Sequence, residues 1–204
     1  MNGNIKSLFD KTVYGVGYFG IGKYKATVNG KMTQQYREWH GMLERCYSQK
    51  NHEKRPVYIG CTVCEEWHNF QVFSTWFDKN YYRIDDETMA LDKDWLCKNN
   101  KIYSSDTCVF VPQYINSLII NKKNNRGKLP IGVSANNGKY YKARCKSNTG
   151  EYKYLGTYDT PEEAFKAYKT FKESYIKQIA ESYKNQIPVK LYEAMIKYKI
   201  NIND

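Results

Sequence analysis

The stretch Ala90-Leu91-Asp92-Lys93-Asp94-Trp95 sets two carboxylates either side of a lysine, directly after an apolar pair. Acid-x-acid at the end of a strand can hold a divalent cation, since hard cations take oxygen ligands. The lysine between the acids can take part in chemistry, or it can neutralise them and close the site. A second set is the six cysteines at 46, 61, 64, 97, 108 and 145. Cys61-x-x-Cys64 is half of a zinc site, with no second C-x-x-C or H-x-x-H pair to complete four tetrahedral ligands. A third set lies on the strand-like run 139–146. Alternate side chains of a strand face opposite ways, so Ala143 and Cys145 suit a helix-covered side. Lys142, Arg144 and Lys146 then point outward, a row of cations suited to phosphates and base edges. Lys153, on the next strand, is read as extending that row.

The elements that position these groups form an α+β chain. Thr33 caps a helix in which Tyr36, Trp39, Leu43 and Cys46 share one stripe. Asn29-Gly30 marks a hairpin within a glycine-rich N-terminal segment, 1–32. That segment also spells G-x-G-x-x-G, but strand-like rather than helical sequence follows, which argues against a phosphate loop. Residues 48–56 read as a loop and 57–63 as a strand. Glu65-Glu66 open a second helix, whose aromatic stripe of Trp67, Phe70, Phe73 and Phe77 is core. From 89 to 120 the pattern is strand, polar loop, strand, Pro112 and helix. Residues 121–130, NKKNNRGKLP, carry four cations and no acid and read as a linker. Beyond it, 131–204 reads as three short strands, a capping box at Thr160-Pro-Glu-Glu163 opening a long helix, and a last helix from Pro188. The domain between hairpin and linker is 33–120.

The chain has 204 residues and a net charge of +11. The excess is uneven: residues 122–204 hold 17 Lys and Arg against 8 Asp and Glu, a net of +9, which leaves +2 for residues 1–121. Basic charge of this kind points to nucleic acid first and an anionic membrane second. No apolar run approaches the ~18–20 residues of a membrane helix, and the start MNGNIKSLFDK is too polar for a signal peptide. The expected location is the cytoplasm of a bacterial host cell, with reduced thiols and no membrane partner.

Two stretches carry family resemblance. Gly132-Val133, Lys139-Tyr-Tyr-Lys-Ala-Arg144, Tyr154-Leu-Gly-Thr-Tyr158 and Thr160-Pro-Glu-Glu-Ala-Phe-Lys-Ala-Tyr168 resemble an APETALA/ERF-type DNA-binding domain over about fifty residues. In that family the sheet enters the major groove and the helix supports it from behind. Ser134 and Asn136 stand where plant members carry arginines. Trp39…Met42…Arg45-Cys46-Tyr47, Cys61-Thr-Val-Cys64-Glu-Glu-Trp67, Leu91-Asp-Lys-Asp94, Asn100-Lys-Ile-Tyr-Ser104…Cys108-Val-Phe-Val111 and Asn116 resemble phage HNH-type endonucleases. That family builds two strands and a helix around one divalent metal, with a histidine as general base. The resemblance puts Asp92 and Asn116 on a Mg or Mn ion, Lys93 at the general-base position, and Thr107 where an asparagine would orient the base. Some relatives tie the fold with zinc, for which Cys46, Cys61, Cys64 and Cys108 form a composite candidate set.

An ammonium beside carboxylates is held in its charged form and cannot take a proton from water. Loss of a general base costs ~10²–10⁴ in rate. His40, His52 and His68 are the remaining histidines, of which His52, on its loop, is the best substitute base. Three functions follow. The favoured one is a phage or prophage duplex-DNA-binding protein on a degenerate HNH-type core. The second is an active metal-dependent homing or nicking endonuclease. The third is a phage-encoded inhibitor of a host defence protein, presenting its aromatic surface to that partner.

Overall fold

In the computed structural model, residues 7–119, 127–147 and 150–204 are described here. The chain divides into two compact units, Met1–Phe110 and Val111–Asp204. The division precedes the basic 121–130 segment, of which residues 121–126 lie outside the described residues, as does Ile120 at the end of the expected helix. Among the described residues no helix is long and apolar enough to cross a membrane.

In the first unit the hairpin is short: β1 (Thr27–Val28) pairs antiparallel with β2 (Lys31–Met32). Asn29 and Gly30, at φ 50° and 73°, form the turn that matches strand twist. Gly17, before it, has a packing reason. A Cβ on Gly17 would lie 2.5 Å from Leu43 Cδ1 and 2.9 Å from the Trp39 ring, so the chain runs flush against α1 (Gln34–Tyr47). Thr33 caps α1 by accepting the Tyr36 N–H, and the helix buries Trp39, Met42, Leu43 and Cys46. The polar 48–56 stretch, expected as a loop, contains a short helix, α2 (Gln49–Lys54), capped by Ser48. The expected strand at 57–63 shrinks to β3 (Thr62–Val63) behind a single 3-10 turn at Pro56–Tyr58.

The helix expected from Glu65 is split. Glu65–His68 is a 3-10 turn, and α3 (Phe70–Asn80) begins only after Asn69, whose side chain accepts the Gln71 N–H. Tyr18 causes the break: its N–H donates to His68 O, and its own carbonyl accepts from Phe70 N–H. Trp39, Phe70 and Phe73 are fully buried against one another and Phe110. β4 (Met89–Asp92) and β6 (Val109–Pro112) form a two-stranded sheet, and β5 (Ile102–Tyr103) pairs parallel with β3. α4 (Gln113–Ser117) starts directly after Pro112.

The second unit is a three-stranded antiparallel sheet packed on a helix. The strands are β7 (Val133–Asn136), β8 (Tyr140–Lys146) and β9 (Tyr152–Tyr158), in that order. The Asn137-Gly138 turn, at φ 53° and 71°, joins the first two. The turn expected at Thr149-Gly150 falls in part on residues 148 and 149, which lie outside the described residues. α5 (Pro161–Tyr183) opens with the complete capping box, Thr160 and Glu163 each bonding the other's backbone. Val133, Ala143, Cys145, Ala164, Phe165 and Tyr168 form the sheet–helix core. α6 (Val189–Lys197) follows Pro188 and buries Leu191 and Met195.

Candidate nucleic-acid interface

The Asp92–Asp94 turn is a closed polar knot. Lys93 is only 6 % exposed. Its Nζ donates to both oxygens of Asp94 at 2.9 Å and to the Asn100 carbonyl at 2.5 Å. The Asn100 side chain returns a bond to the Lys93 carbonyl at 3.2 Å. Lys93 thus pairs with Asp94, and Asp92 is used otherwise. Asp92 Oδ1 accepts the backbone N–H groups of Asp94 and Trp95, both at 2.8 Å, which turns the chain at the end of β4.

That donor set suits a divalent cation poorly. Hard cations need several free oxygens, whereas both Asp94 oxygens face an ammonium and one Asp92 oxygen closes the turn. Among the described residues no three of His, Cys, Asp and Glu come together as a metal-holding group. Thr107 is occupied locally: its Oγ1 donates to the Ile102 carbonyl at 2.7 Å and sits 3.0 Å from Ser104 Oγ. It orients its own turn. Asn116 lies on α4, in the second unit.

The histidines have structural partners. His40 packs edge-on to Tyr14, His52 Nε2 lies 3.0 Å from the Arg45 carbonyl, and His68 Nε2 lies 3.4 Å from Tyr47 Oη. Cys46, Cys61 and Cys108 are buried thiols that form no disulfide, and Cys64 is half-buried. Burial pushes the Cys46 and Cys108 thiols up to about 12 and Cys64 to about 11. The structure does not assemble the four into a tetrahedral set.

Burial raises the Asp92 carboxyl to about 6, against the pull of the two N–H groups and of Lys93. A carboxyl whose folded pKa exceeds its unfolded value of ~3.9 contributes stability below about pH 4, and that contribution is lost as pH rises through about 6. The span corresponds to about 3 kcal/mol. Asp92→Asn keeps the turn-closing oxygen and removes the charge. It is expected to stabilise the first unit at pH 8 and to flatten its denaturant midpoint between pH 4 and 6. Loss of stability in this variant, seen only with magnesium or manganese present, would instead mark Asp92 as a cation ligand.

The second unit offers an open surface. Ala143 and Cys145 are buried under α5, while Arg144 and Lys146 are exposed and Lys142 is half-buried on the opposite face. Register places Ser134 and Thr157 opposite Lys142, Tyr154 opposite Arg144, and Tyr152 opposite Lys146. The three strands contain no Asp or Glu. Arg144 is held in place: Nη2 donates to Ser134 Oγ at 3.2 Å, and the guanidinium lies 5.6 Å from the Tyr152 ring centre.

Lys153 does not extend the row. It pairs with Cys145, so it shares the helix-facing side, and its Nζ lies 4.7 Å from the centre of the Phe171 ring on α5. The residues missing from the sequence reading are Tyr140, Tyr152 and Tyr154, which stand among the cations at 37 %, 66 % and 57 % exposure. Tyr140 has the same strand parity as Lys142 and was available from alternation. Tyr152 and Tyr154 required the register of β9.

Comparison with protein-family models, with curated proteins and with solved structures finds no match to this chain.

Proposed function

We propose that the protein binds duplex DNA through the outer face of the β7-β8-β9 sheet, and that the Asp92–Lys93–Asp94 turn of the first unit is structural rather than hydrolytic. The observation that carries the reading is the row Lys142, Arg144, Lys146 on strands that hold no acid, opposite a face covered by α5. A β-ribbon is narrow enough for the ~12 Å major groove, and cations at alternate positions recur every ~7 Å along the strand. The uneven charge of the chain, +9 on residues 122–204, adds a wider field that draws a polyanion to this unit. Phosphate neutralisation by three or four cations predicts that log K falls against log salt with a slope of about −3. Fluorescence anisotropy of a labelled random duplex, titrated between low and physiological salt, reads that slope. Affinity indifferent to salt would rule the interface out.

A further inference from the structure

We propose that this face is built for DNA with unpaired bases: Tyr152, Tyr154 and Tyr140 stack on bases splayed out of the helix, while Lys142, Arg144 and Lys146 hold the flanking phosphates. The inference rests on the DNA-binding reading above and deepens it. Cations alone account for grip on a duplex backbone. They do not account for three tyrosine rings left 37–66 % exposed on the same face.

Their placement is specific. Tyr152 and Tyr154 are two residues apart on one face of β9, hence ~7 Å apart. That is about twice the ~3.4 Å rise between bases on one strand of B-DNA. Bases that meet these two rings are therefore separated from one another, which a paired duplex does not allow. Tyr140 lies toward the other end of β8, beyond Lys142 in the register. The track from Lys146 to Tyr140 covers six residues, roughly 20 Å, room for a short run of extended nucleotides.

The rings are also ordered in advance. Tyr154 Oη lies 2.7 Å from Thr157 Oγ1, which lays the ring along its strand. Tyr152 lies under the Arg144 guanidinium, itself fixed by Ser134. The Tyr140 ring has a cation of its own, with Lys139 Nζ 5.2 Å from its centre. Interleaved aromatic rings and cations on a sheet are the chemistry of base stacking with backbone neutralisation, which is sequence-tolerant because every base has a π-face.

The test compares three labelled ligands at one salt: a paired duplex, the same duplex interrupted by a short gap of unpaired thymines, and the single strand. Wild type should bind the gapped duplex about tenfold or more tighter than the paired one, since each stacked base contributes a factor of that order. The double variant Tyr152→Ala with Tyr154→Ala should cost the gapped ligand about tenfold more than the paired duplex, so that the two bind alike; any loosening of Arg144, which lies against the Tyr152 ring, falls on both ligands equally. The corresponding Tyr→Phe pair keeps the rings and should behave as wild type. Equal affinity for gapped and paired DNA, or equal losses on both in the alanine pair, would overturn the inference. Lys142→Ala with Arg144→Ala and Lys146→Ala separates the two readings. If that variant binds all three ligands like wild type, the face does not bind DNA at all. If it loses all three while the tyrosine variants change nothing, only the stacking inference falls.

Discussion

Replacing Lys93 by alanine is expected to cost the first unit about 3 kcal/mol, with no effect on the DNA binding proposed for the sheet of the second unit. The magnitude follows from what the ammonium holds. Its three bonds reach Asp94 twice and the Asn100 carbonyl once. Asn100 in turn bonds the Lys93 carbonyl and, through its side-chain oxygen, the Ile102 N–H that begins β5. Removing one member of a buried charged network costs ~3–5 kcal/mol. Asp94 is 37 % exposed at its side chain and regains water, so the lower end applies. All four tryptophans, at 39, 67, 76 and 95, lie in Met1–Phe110. The denaturant midpoint of tryptophan fluorescence therefore reports this unit without contribution from the other. An unchanged midpoint would show that the ammonium is not held as described. Lys93→His tests the chemistry at the same position: imidazole is too short to rebuild the Asp94 and Asn100 bonds, and supercoiled plasmid with manganese should stay intact. Nicking that appears with the histidine and disappears on adding Asp92→Ala would restore the hydrolase reading.

The second unit is the more legible half of the chain, and the reason is that its signals are local. Thr160 and Glu163 announce a capping box, Asn137-Gly138 a turn, and the alternation of small and charged residues on 139–146 its two faces. Each depends on neighbours within a few positions. The first unit depends on distant pairs. Nothing within 65–80 shows that Tyr18 will take the hydrogen bonds of His68 and Phe70 and break the helix there. Nothing near Gly17 shows that a side chain there would strike Leu43 and Trp39. Lys93 could be placed beside two acids by sequence, but not assigned to Asp94 alone, because the competing claim on Asp92 comes from two backbone amides.

Lys153 illustrates a further limit. The face of a strand residue follows from register, and a slip of one residue exchanges the two faces. The register of β9 shifts between Ala143 and Arg144, where Gly156 and Tyr154 are the successive partners and Leu155 is left over as a bulge. Gly156, at φ 132°, is the residue that permits it. The bulge aims Tyr154 outward opposite Arg144, so the same irregularity that the sequence hid also composes the aromatic half of the proposed interface.

Gly132→Ala is expected to unfold the sheet–helix unit and abolish DNA binding, a loss of about 4 kcal/mol or more. Gly132 sits at φ +79° just before β7, and a Cβ there would lie 2.1 Å from Tyr168 Cδ2 and 2.2 Å from its Cγ. The Tyr168 ring is buried among Val133, Ala143, Cys145 and Phe165, so it has no free space to move into. Overpacking of this kind costs ~1–3 kcal/mol when neighbours can shift, and the left-handed backbone adds ~1–2 kcal/mol for any residue with a Cβ. The Gly132 carbonyl also accepts the Arg144 N–H at 2.9 Å, so displacement of residue 132 reaches the central cation of the proposed DNA-binding face directly. Gly138→Ala is the control, because its φ is +71° but no atom lies within 4 Å of the added carbon. It should cost only the backbone term, ~1–2 kcal/mol, and leave affinity unchanged. Amide hydrogen exchange of β8 reads both. Collapse of protection in the first variant with retention in the second separates steric conflict with Tyr168 from backbone strain, whereas equal effects would mean that the turn conformations alone hold the sheet in place.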